Sequence, residues 1–125
     1  MHQRILFLLR LDRELMQNEI AEAEAEILKY SLMANTEPTS EEIKKGFEKI
    51  NGKIKDRINT LKSRIEANEA KEKAFIEKLH GIEDPELKEM AIAYFIDGQS
   101  CEEIGQKYYL ERTTVYKKLK RFFDD

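Results

Sequence analysis

The sequence predicts an all-α protein in which a long antiparallel αα-hairpin, coiled-coil-like in pattern, is followed by three short helices. Apolar residues recur every three or four positions through residues 2–34 and again through 43–65, as they do on one face of a helix. Residues 82–125 instead carry helix-start and turn signals at short intervals. Charged residues make up 38% of the 125-residue chain, which favours solvated helices over a thick core.

The first two helices each present one apolar stripe. Residues 2–34 contain no Gly or Pro, and the segment "ANTEPTSEE" then breaks the pattern. Thr39 or Ser40 is the predicted N-cap of the second helix, with Glu42 completing a capping box on Thr39. The first stripe is Ile5, Leu9, Met16, Ile20, Ala23, Ile27 and Tyr30, and the second is Ile43, Phe47, Ile50, Ile54, Ile58, Leu61 and Ile65.

The two stripes fit one antiparallel register. Folding the chain about position 37, with a loop near residues 35–39, places Tyr30 near Ile43 and Leu9 near Ile65. The same register sets an acidic run against a basic one, which disfavours a register slip. The acidic residues are Glu19, Glu22, Glu24 and Glu26, and the basic ones are Lys49, Lys53 and Lys55.

Two glycines, Gly46 and Gly52, lie inside the second helix and each costs about 1 kcal/mol relative to alanine. Asn51-Gly52 is also a turn signal. We predict a continuous helix because the apolar phase runs through both glycines. Beyond residue 65 the stripe degrades at Asn68 and Glu72, returns near residue 75, and ends at a glycine, so this part is predicted to be an arm.

The first helix also carries a second apolar line that a two-helix hairpin cannot bury. We predict that a second copy of the chain covers it, so that residues 1–80 form a dimerisation region. The alternative is that the C-terminal part folds back onto it. The second apolar line consists of Leu8, Leu11, Leu15, Ala25, Leu28 and Leu32.

Residues 82–125 are predicted to form a separate domain of three short helices. Asp84 is the expected N-cap of the first, with Pro85 at its first position, and Gly98 occupies the following turn. Ser100 and Glu103 form a capping box for the second helix, and the last helix covers about 112–123. The expected core is Leu87, Ala91, Phe95, Ile104, Leu110, Val115, Leu119 and Phe122.

A short capped helix, a turn of about three residues and a longer basic helix define a helix-turn-helix. Such a helix fits the major groove of DNA and meets base edges with its N-terminal residues. Arg112 and Lys117 are candidate donors to guanine, and the two threonines are candidates for phosphate or a thymine methyl. The predicted DNA-binding residues are Arg112, Thr113, Thr114, Tyr116, Lys117, Lys118, Lys120 and Arg121.

The segments "YFIDGQSCEEIG" and "RTTVYKKLKR" resemble the C-terminal promoter-reading domain of sigma factors. They resemble more closely the sigma-factor-like helix-turn-helix regulators of phages and prophages. The resemblance covers about the last third of the chain and implies that the start of the last helix reads DNA in transcription regulation. The family's turn usually has Gly and a Ser or Thr N-cap, where this chain has Tyr109 and Glu111, and Gly105 replaces a usual Ala.

Charge and composition exclude several other classes of function. The net charge is −3, so any DNA site is a local patch, here the last helix. Cys101 is the only cysteine, His2 and His80 are isolated, and no nucleophile set, phosphate loop or metal cluster is recognisable. We therefore expect no enzyme activity, no metal and no cofactor. The run "ILFLL" is too short to span a bilayer, and we expect a cytoplasmic protein with no membrane or small-molecule partner.

The sequence thus predicts a dimeric, sequence-specific regulator that binds double-stranded DNA. One alternative is an adaptor that docks on RNA polymerase or another regulator without reading DNA. Another is a small terminase-like recognition subunit for DNA packaging. The basic stretch 44–64 is interpreted as charge pairing with the first helix, and a second contact with the DNA backbone is its alternative.

Overall fold

A computed structural model describes residues 3–35 and 40–124. Over these residues the chain forms five helices and no strand, which confirms the all-α class. None of the helices in these ranges is long and apolar enough to cross a membrane. The predicted loop at 36–39 and the predicted Thr39 cap lie outside the described residues. The helices are α1 (Ile5–Asn35), α2 (Glu41–His80), α3 (Pro85–Phe95), α4 (Cys101–Tyr108) and α5 (Arg112–Asp124).

The chain divides into two compact units. One consists of Met1–Arg10 and Ala70–Asp125, and the other of Leu11–Glu69. The start of the chain joins the first unit through Gln3, whose side-chain amide donates a hydrogen bond of 2.7 Å to the carbonyl of Gln99. The first unit therefore contains the three short helices together with the start of α1 and the end of α2.

The α2 helix runs unbroken from beginning to end, as predicted. Ser40 caps its start, because its hydroxyl oxygen accepts a hydrogen bond of 3.3 Å from the amide of Ile43. Gly46 and Gly52 both lie within the helix, and apart from their chain neighbours and the surrounding helix backbone no atom lies within 4 Å of where a Cβ would stand on either. The alternative turn at the second of these glycines does not form.

The second unit is held by contacts between α1 and α2. The rings of Tyr30 and Phe47 stack with centroids 5.8 Å apart, and Glu19 accepts a hydrogen bond from Arg57. The predicted register placed Tyr30 beside Ile43, and it was wrong by about one to two turns of α2. Ser31 of α1, for example, accepts a hydrogen bond of 3.2 Å from the side-chain amide of Asn51. The prediction assumed helix ends symmetric about position 37.

Polar residues on the inner stripe of α2 have arginine partners on α1. In the second unit Asn68 is buried, with 5% of its surface exposed, and its side-chain oxygen accepts a hydrogen bond of 3.5 Å from Arg13. In the first unit Glu72 accepts a bond of 2.8 Å from Arg10. These two positions therefore still belong to the face of α2 that meets α1, because each polar side chain is paired with an arginine.

Two of the three short helices, α3 and α4, begin at the predicted caps. The Asp84 carboxylate accepts a hydrogen bond of 3.0 Å from the amide of Glu86, with Pro85 at the first helical position. The Ser100 hydroxyl accepts one of 3.1 Å from the amide of Glu103 and donates to that residue's carboxylate at 3.3 Å. The caps fix the starts of α3 and α4.

The core of the first unit is larger than predicted. Leu87, Leu110 and Phe122 pack against it while half-buried, and α4 packs against α5. Three of the buried side chains were not expected there, because they come from the end of α2, the loop after it and the middle of α3. The buried cluster is Leu79, Ile82, Met90, Ala91, Phe95, Ile104, Val115 and Leu119.

The second apolar line of α1 is exposed in the chain. Leu15, Leu28 and Leu32 have 58%, 63% and 56% of their surfaces exposed. Leu8 and Leu11 are 50% and 41% exposed, and the alanine at position 25 is exposed as well. A contiguous apolar strip of this kind marks an interaction surface more often than a solvated face.

Candidate nucleic-acid interface

The rotation of α5 is fixed by its buried residues. Val115 and Leu119 have no exposed surface and point into the core of the first unit. Because each helical residue turns about 100°, the side chains on the opposite face point outward. Thr114 is half-buried and the other seven predicted DNA-binding residues are exposed. These seven are Arg112, Thr113, Tyr116, Lys117, Lys118, Lys120 and Arg121.

The turn before α5 depends on a strained tyrosine. Tyr109 adopts a left-handed conformation, with φ 57° and ψ 38°, and 96% of its surface is exposed. This conformation costs a residue with a Cβ about 1–2 kcal/mol. Tyr109 therefore takes the conformation for which glycine is the usual residue, and its ring lies beside the start of α5 in solvent.

A close backbone approach explains the glycine in α4. A Cβ on Gly105 would stand 2.3 Å from the carbonyl oxygen of Leu110. The amide of Leu110 also donates a hydrogen bond of 2.8 Å to the Gly105 carbonyl. Only glycine allows the turn to lie this close to α4, so the glycine at position 105 has a steric cause.

The α5 helix begins on the backbone of Glu111. Its carbonyl accepts hydrogen bonds from the amides of Thr114 at 3.0 Å and Val115 at 3.1 Å. This places the exposed carboxylate of Glu111 directly before Arg112. A negative charge here interacts favourably with the positive end of the helix dipole, but it repels a phosphate that approaches the same end.

A cavity of about 600 Å³ lies between α4, the turn and the start of α5. Arg112 and Thr113 line one side of it and supply hydrogen-bond donors. Glu102 and Glu111 line it as well and supply carboxylates. This part of the site therefore has mixed charge, and it presents donors and acceptors side by side.

A second cavity, of about 530 Å³, lies between α3 and α5. Three basic residues of α5, Lys117, Lys118 and Arg121, line it, and so do Asp84 and Glu86. This flank of α5 therefore faces two carboxylates as well as solvent. Because the two carboxylates lie at the same cavity, they weaken the attraction of this flank for phosphate.

The outward face of α5 carries the clearest basic surface. Positions 113, 116, 117 and 120 share one side of the helix, since residues three and four apart are neighbours. Lys120 lies over the ring of Tyr116, with its Nζ atom 5.9 Å from the ring centroid. Thr113 and Lys117 complete this face, which we call the outward face from here on.

A hydrogen bond between α3 and α4 supports the site and was missed from the sequence. The Tyr108 hydroxyl donates to the Glu89 carboxylate, and this bond, with burial, raises the pKa of Tyr108 to about 12. The phenol thus remains protonated and the bond persists over the physiological pH range. A pairing of residues nineteen positions apart leaves no periodic signal in the sequence.

Cys101, at the first position of α4, is half-buried. Burial raises the pKa of its thiol, so the reactive thiolate is disfavoured. The side chain packs against the core of the first unit. Its role in the structure is therefore one of packing.

Comparison with known proteins adds no relative to these observations. No protein-family model matches the chain, and neither a curated protein nor a solved structure matches it.

Proposed function

We propose that the protein is a sequence-specific, double-stranded-DNA-binding transcriptional regulator of phage or prophage type, dimeric through its N-terminal helices. In this proposal α1 and α2 form an antiparallel hairpin, and α4, the turn and α5 form a helix-turn-helix. The resemblance of "YFIDGQSCEEIG" and "RTTVYKKLKR" to sigma-factor-like regulators supports the assignment.

The observation that carries the proposal is the outward face of α5. The buried side chains of Val115 and Leu119 leave this face in solvent at the surface of the first unit. An exposed helix with two lysines and a threonine on one side has the width and the donors that the major groove accepts. The turn at Tyr109 holds the start of this helix against α4.

The site residues divide into two proposed roles. Arg112 and Lys117, near the start of α5, donate to guanine acceptors, and Thr113 contacts a thymine methyl or a phosphate. Lys120 and Arg121, further along α5, hold phosphates. Lys118 and Arg121 line the cavity beside α3 together with Asp84 and Glu86, so they contact phosphate at the edge of the site. As a dimer, the protein would bind two half-sites about one helical turn apart or a multiple of it.

A second candidate function is an adaptor that docks on RNA polymerase or another regulator. The exposed ring of Tyr109 favours it, because tyrosine is enriched at protein interfaces. The carboxylates of Glu102 and Glu111 beside it are better suited to a basic protein surface than to DNA. The packaging alternative, a small terminase-like subunit, requires a ring of many copies, and mass in solution distinguishes it from a dimer.

Selection of bound sites from random duplex DNA tests the proposal. The wild type should enrich one sequence motif. The Arg112→Ala and Lys117→Ala variants should each lose preference at one base position, which costs about 1–3 kcal/mol per contact. Lys120→Ala should weaken binding to all sequences alike and lower the salt slope by about 1.

The matched control is Lys71→Ala, which removes an exposed lysine of α2 outside the basic stretch 44–64. This variant should select the same motif as the wild type. An unenriched pool with the wild-type protein would contradict the DNA-reading function and leave the adaptor as the better account.

A further inference from the structure

The outer face of α1 carries a line of eight residues at heptad spacing, of which six are apolar and Glu14 and Asn18 are polar. Its eight positions follow steps of four and three in strict alternation, the spacing of a coiled-coil seam. All eight side chains are exposed, and the line lies opposite the stripe that packs on α2. We call it the heptad line, and it consists of Phe7, Leu11, Glu14, Asn18, Ala21, Ala25, Leu28 and Leu32.

The heptad line is symmetric about its own centre. Phe7 and Leu32 lie at its two ends, and Leu11 and Leu28 come next. An antiparallel pairing about a two-fold axis requires this property, because residue i of one copy then meets a different residue j of the other while j meets i. We propose that two copies of this chain pair antiparallel along the heptad line, each α1 against the other.

Side-chain size fits the antiparallel pairing. Phe7 faces Leu32 of the second copy and Leu11 faces its Leu28, so large apolar groups meet at both ends. Near the centre the polar Asn18 faces the small Ala21, which leaves room for its amide to reach solvent. A parallel pairing would stack every residue on its own copy, with alanine against alanine and Phe7 against Phe7.

Charge also favours the antiparallel direction. A parallel pairing would place Glu14 of one copy against Glu14 of the other, whereas the antiparallel pairing places it against an alanine. Residues 5–18 of α1 have no net charge and residues 19–35 are acidic, so a parallel pair would align the two acidic segments. The charges of residues 19–35 are Glu19, Glu22, Glu24, Glu26 and Lys29.

The length of the heptad line sets the expected strength of association between the two copies. At 1.5 Å per residue it is about 38 Å long, and a strip of helix width, ~10 Å, gives a footprint of about 400 Å². A standard interface buries ~800 Å² per partner. Leu8 and Leu15 flank the line and extend the contact. We therefore expect reversible association in the micromolar range.

This inference rests on the dimer of the proposed function and specifies its geometry. The first test is mass in solution without DNA, by sedimentation over a range of protein concentrations. The wild type should reach twice the chain mass and no more. A monomer at ~100 µM, well above a micromolar dissociation constant, or a trimer or larger ring, would overturn the pairing.

Two variants at neighbouring residues test whether the heptad line is the face of α1 that forms the interface. Leu32→Glu places a charge on the line and should weaken association at least about tenfold. Met33→Glu is the matched control, since Met33 is exposed to a similar degree (45% against 56%) but lies off the line, and it should associate as the wild type does. Equal effects of the two variants would overturn the assignment.

Disulfide formation tests the direction. In a Cys101→Ser background, Glu14→Cys and Ala25→Cys face each other only in the antiparallel pair. Oxidation of a mixture of the two variants should give the mixed disulfide, while neither variant alone should cross-link. Cross-linking of each variant with itself would show a parallel pair and contradict the proposal. None of these experiments contains DNA, so their results do not depend on whether the protein binds DNA.

Discussion

Substitution of Gly105 by alanine is the sharpest test of how the turn is built. Alanine ordinarily stabilises a helix interior by about 1 kcal/mol relative to glycine. At this position the added Cβ would stand 2.3 Å from the Leu110 carbonyl oxygen, which is a backbone atom and cannot rotate away. An ordinary contact would require the turn to move by roughly an ångström from α4.

The magnitude follows from three contributions. Overpacking of this kind costs about 1–3 kcal/mol. The hydrogen bond from the Leu110 amide to the Gly105 carbonyl, 2.8 Å in the structure, is lengthened or lost, which costs about 1 kcal/mol. The gain in helix propensity offsets about 1 kcal/mol of this. We expect Gly105→Ala to lower the free energy of unfolding by about 1–3 kcal/mol.

Urea unfolding followed by circular dichroism measures this change, and amide hydrogen exchange at Leu110 locates it. Gly52→Ala is the matched control, because apart from its chain neighbours and the surrounding helix backbone no atom lies within 4 Å of the added Cβ there, and it should stabilise the protein by about 1 kcal/mol. If Gly105→Ala were as stabilising as the control, the close approach of turn and α4 would be refuted.

Three further predictions concern single contacts. Tyr109→Gly should raise the free energy of unfolding by about 1 kcal/mol in urea titrations, because glycine adopts the left-handed conformation without strain. The pKa of Tyr108 is raised from 10.0 to about 12, so the stability that its bond to Glu89 contributes is complete below pH 10 and is lost as the pH rises towards 12. In ultraviolet titration, Tyr108→Phe should remove the tyrosine that ionises near pH 12. Phe47→Ala should cost about 1–2 kcal/mol by thermal unfolding, since it removes the ring stacked on Tyr30; an unchanged midpoint would contradict that contact.

Local signals in the sequence predicted the helices well. Caps and breakers act over three or four residues, so Ser40, Asp84 and Ser100 marked helix starts that the structure contains. Periodicity likewise predicted α2 as continuous through Gly52. These features depend on neighbours along the chain, and a single sequence shows those neighbours directly.

Contacts between distant segments were harder to predict. The register of α1 on α2 was off by about one to two turns, because apolar stripes alone allow several alignments and single contacts such as Tyr30–Phe47 and Ser31–Asn51 decide between them. Asn68 looked like an end of the stripe, since its partner Arg13 is 55 positions away. Met90 was not assigned to the core, although it has no exposed surface.

The sequence predicted the exposure of α5 better than its surroundings. The amphipathic pattern predicted its exposed residues correctly except for Thr114, which is half-buried. The carboxylates near Lys118 depend on where α3 lies, because Asp84 and Glu86 line the same cavity as Lys118. The sequence does not give the position of one short helix on another.

Equilibrium binding of the wild-type chain to its selected duplex and to a shuffled duplex at ~100 mM salt tests the central claim most directly. A sequence-reading helix-turn-helix should bind the selected duplex at least about a thousandfold more tightly. The affinity should also fall steeply as salt is raised, because phosphate contacts release counterions. Equal affinity for the two duplexes, or no measurable binding to either, would contradict the account.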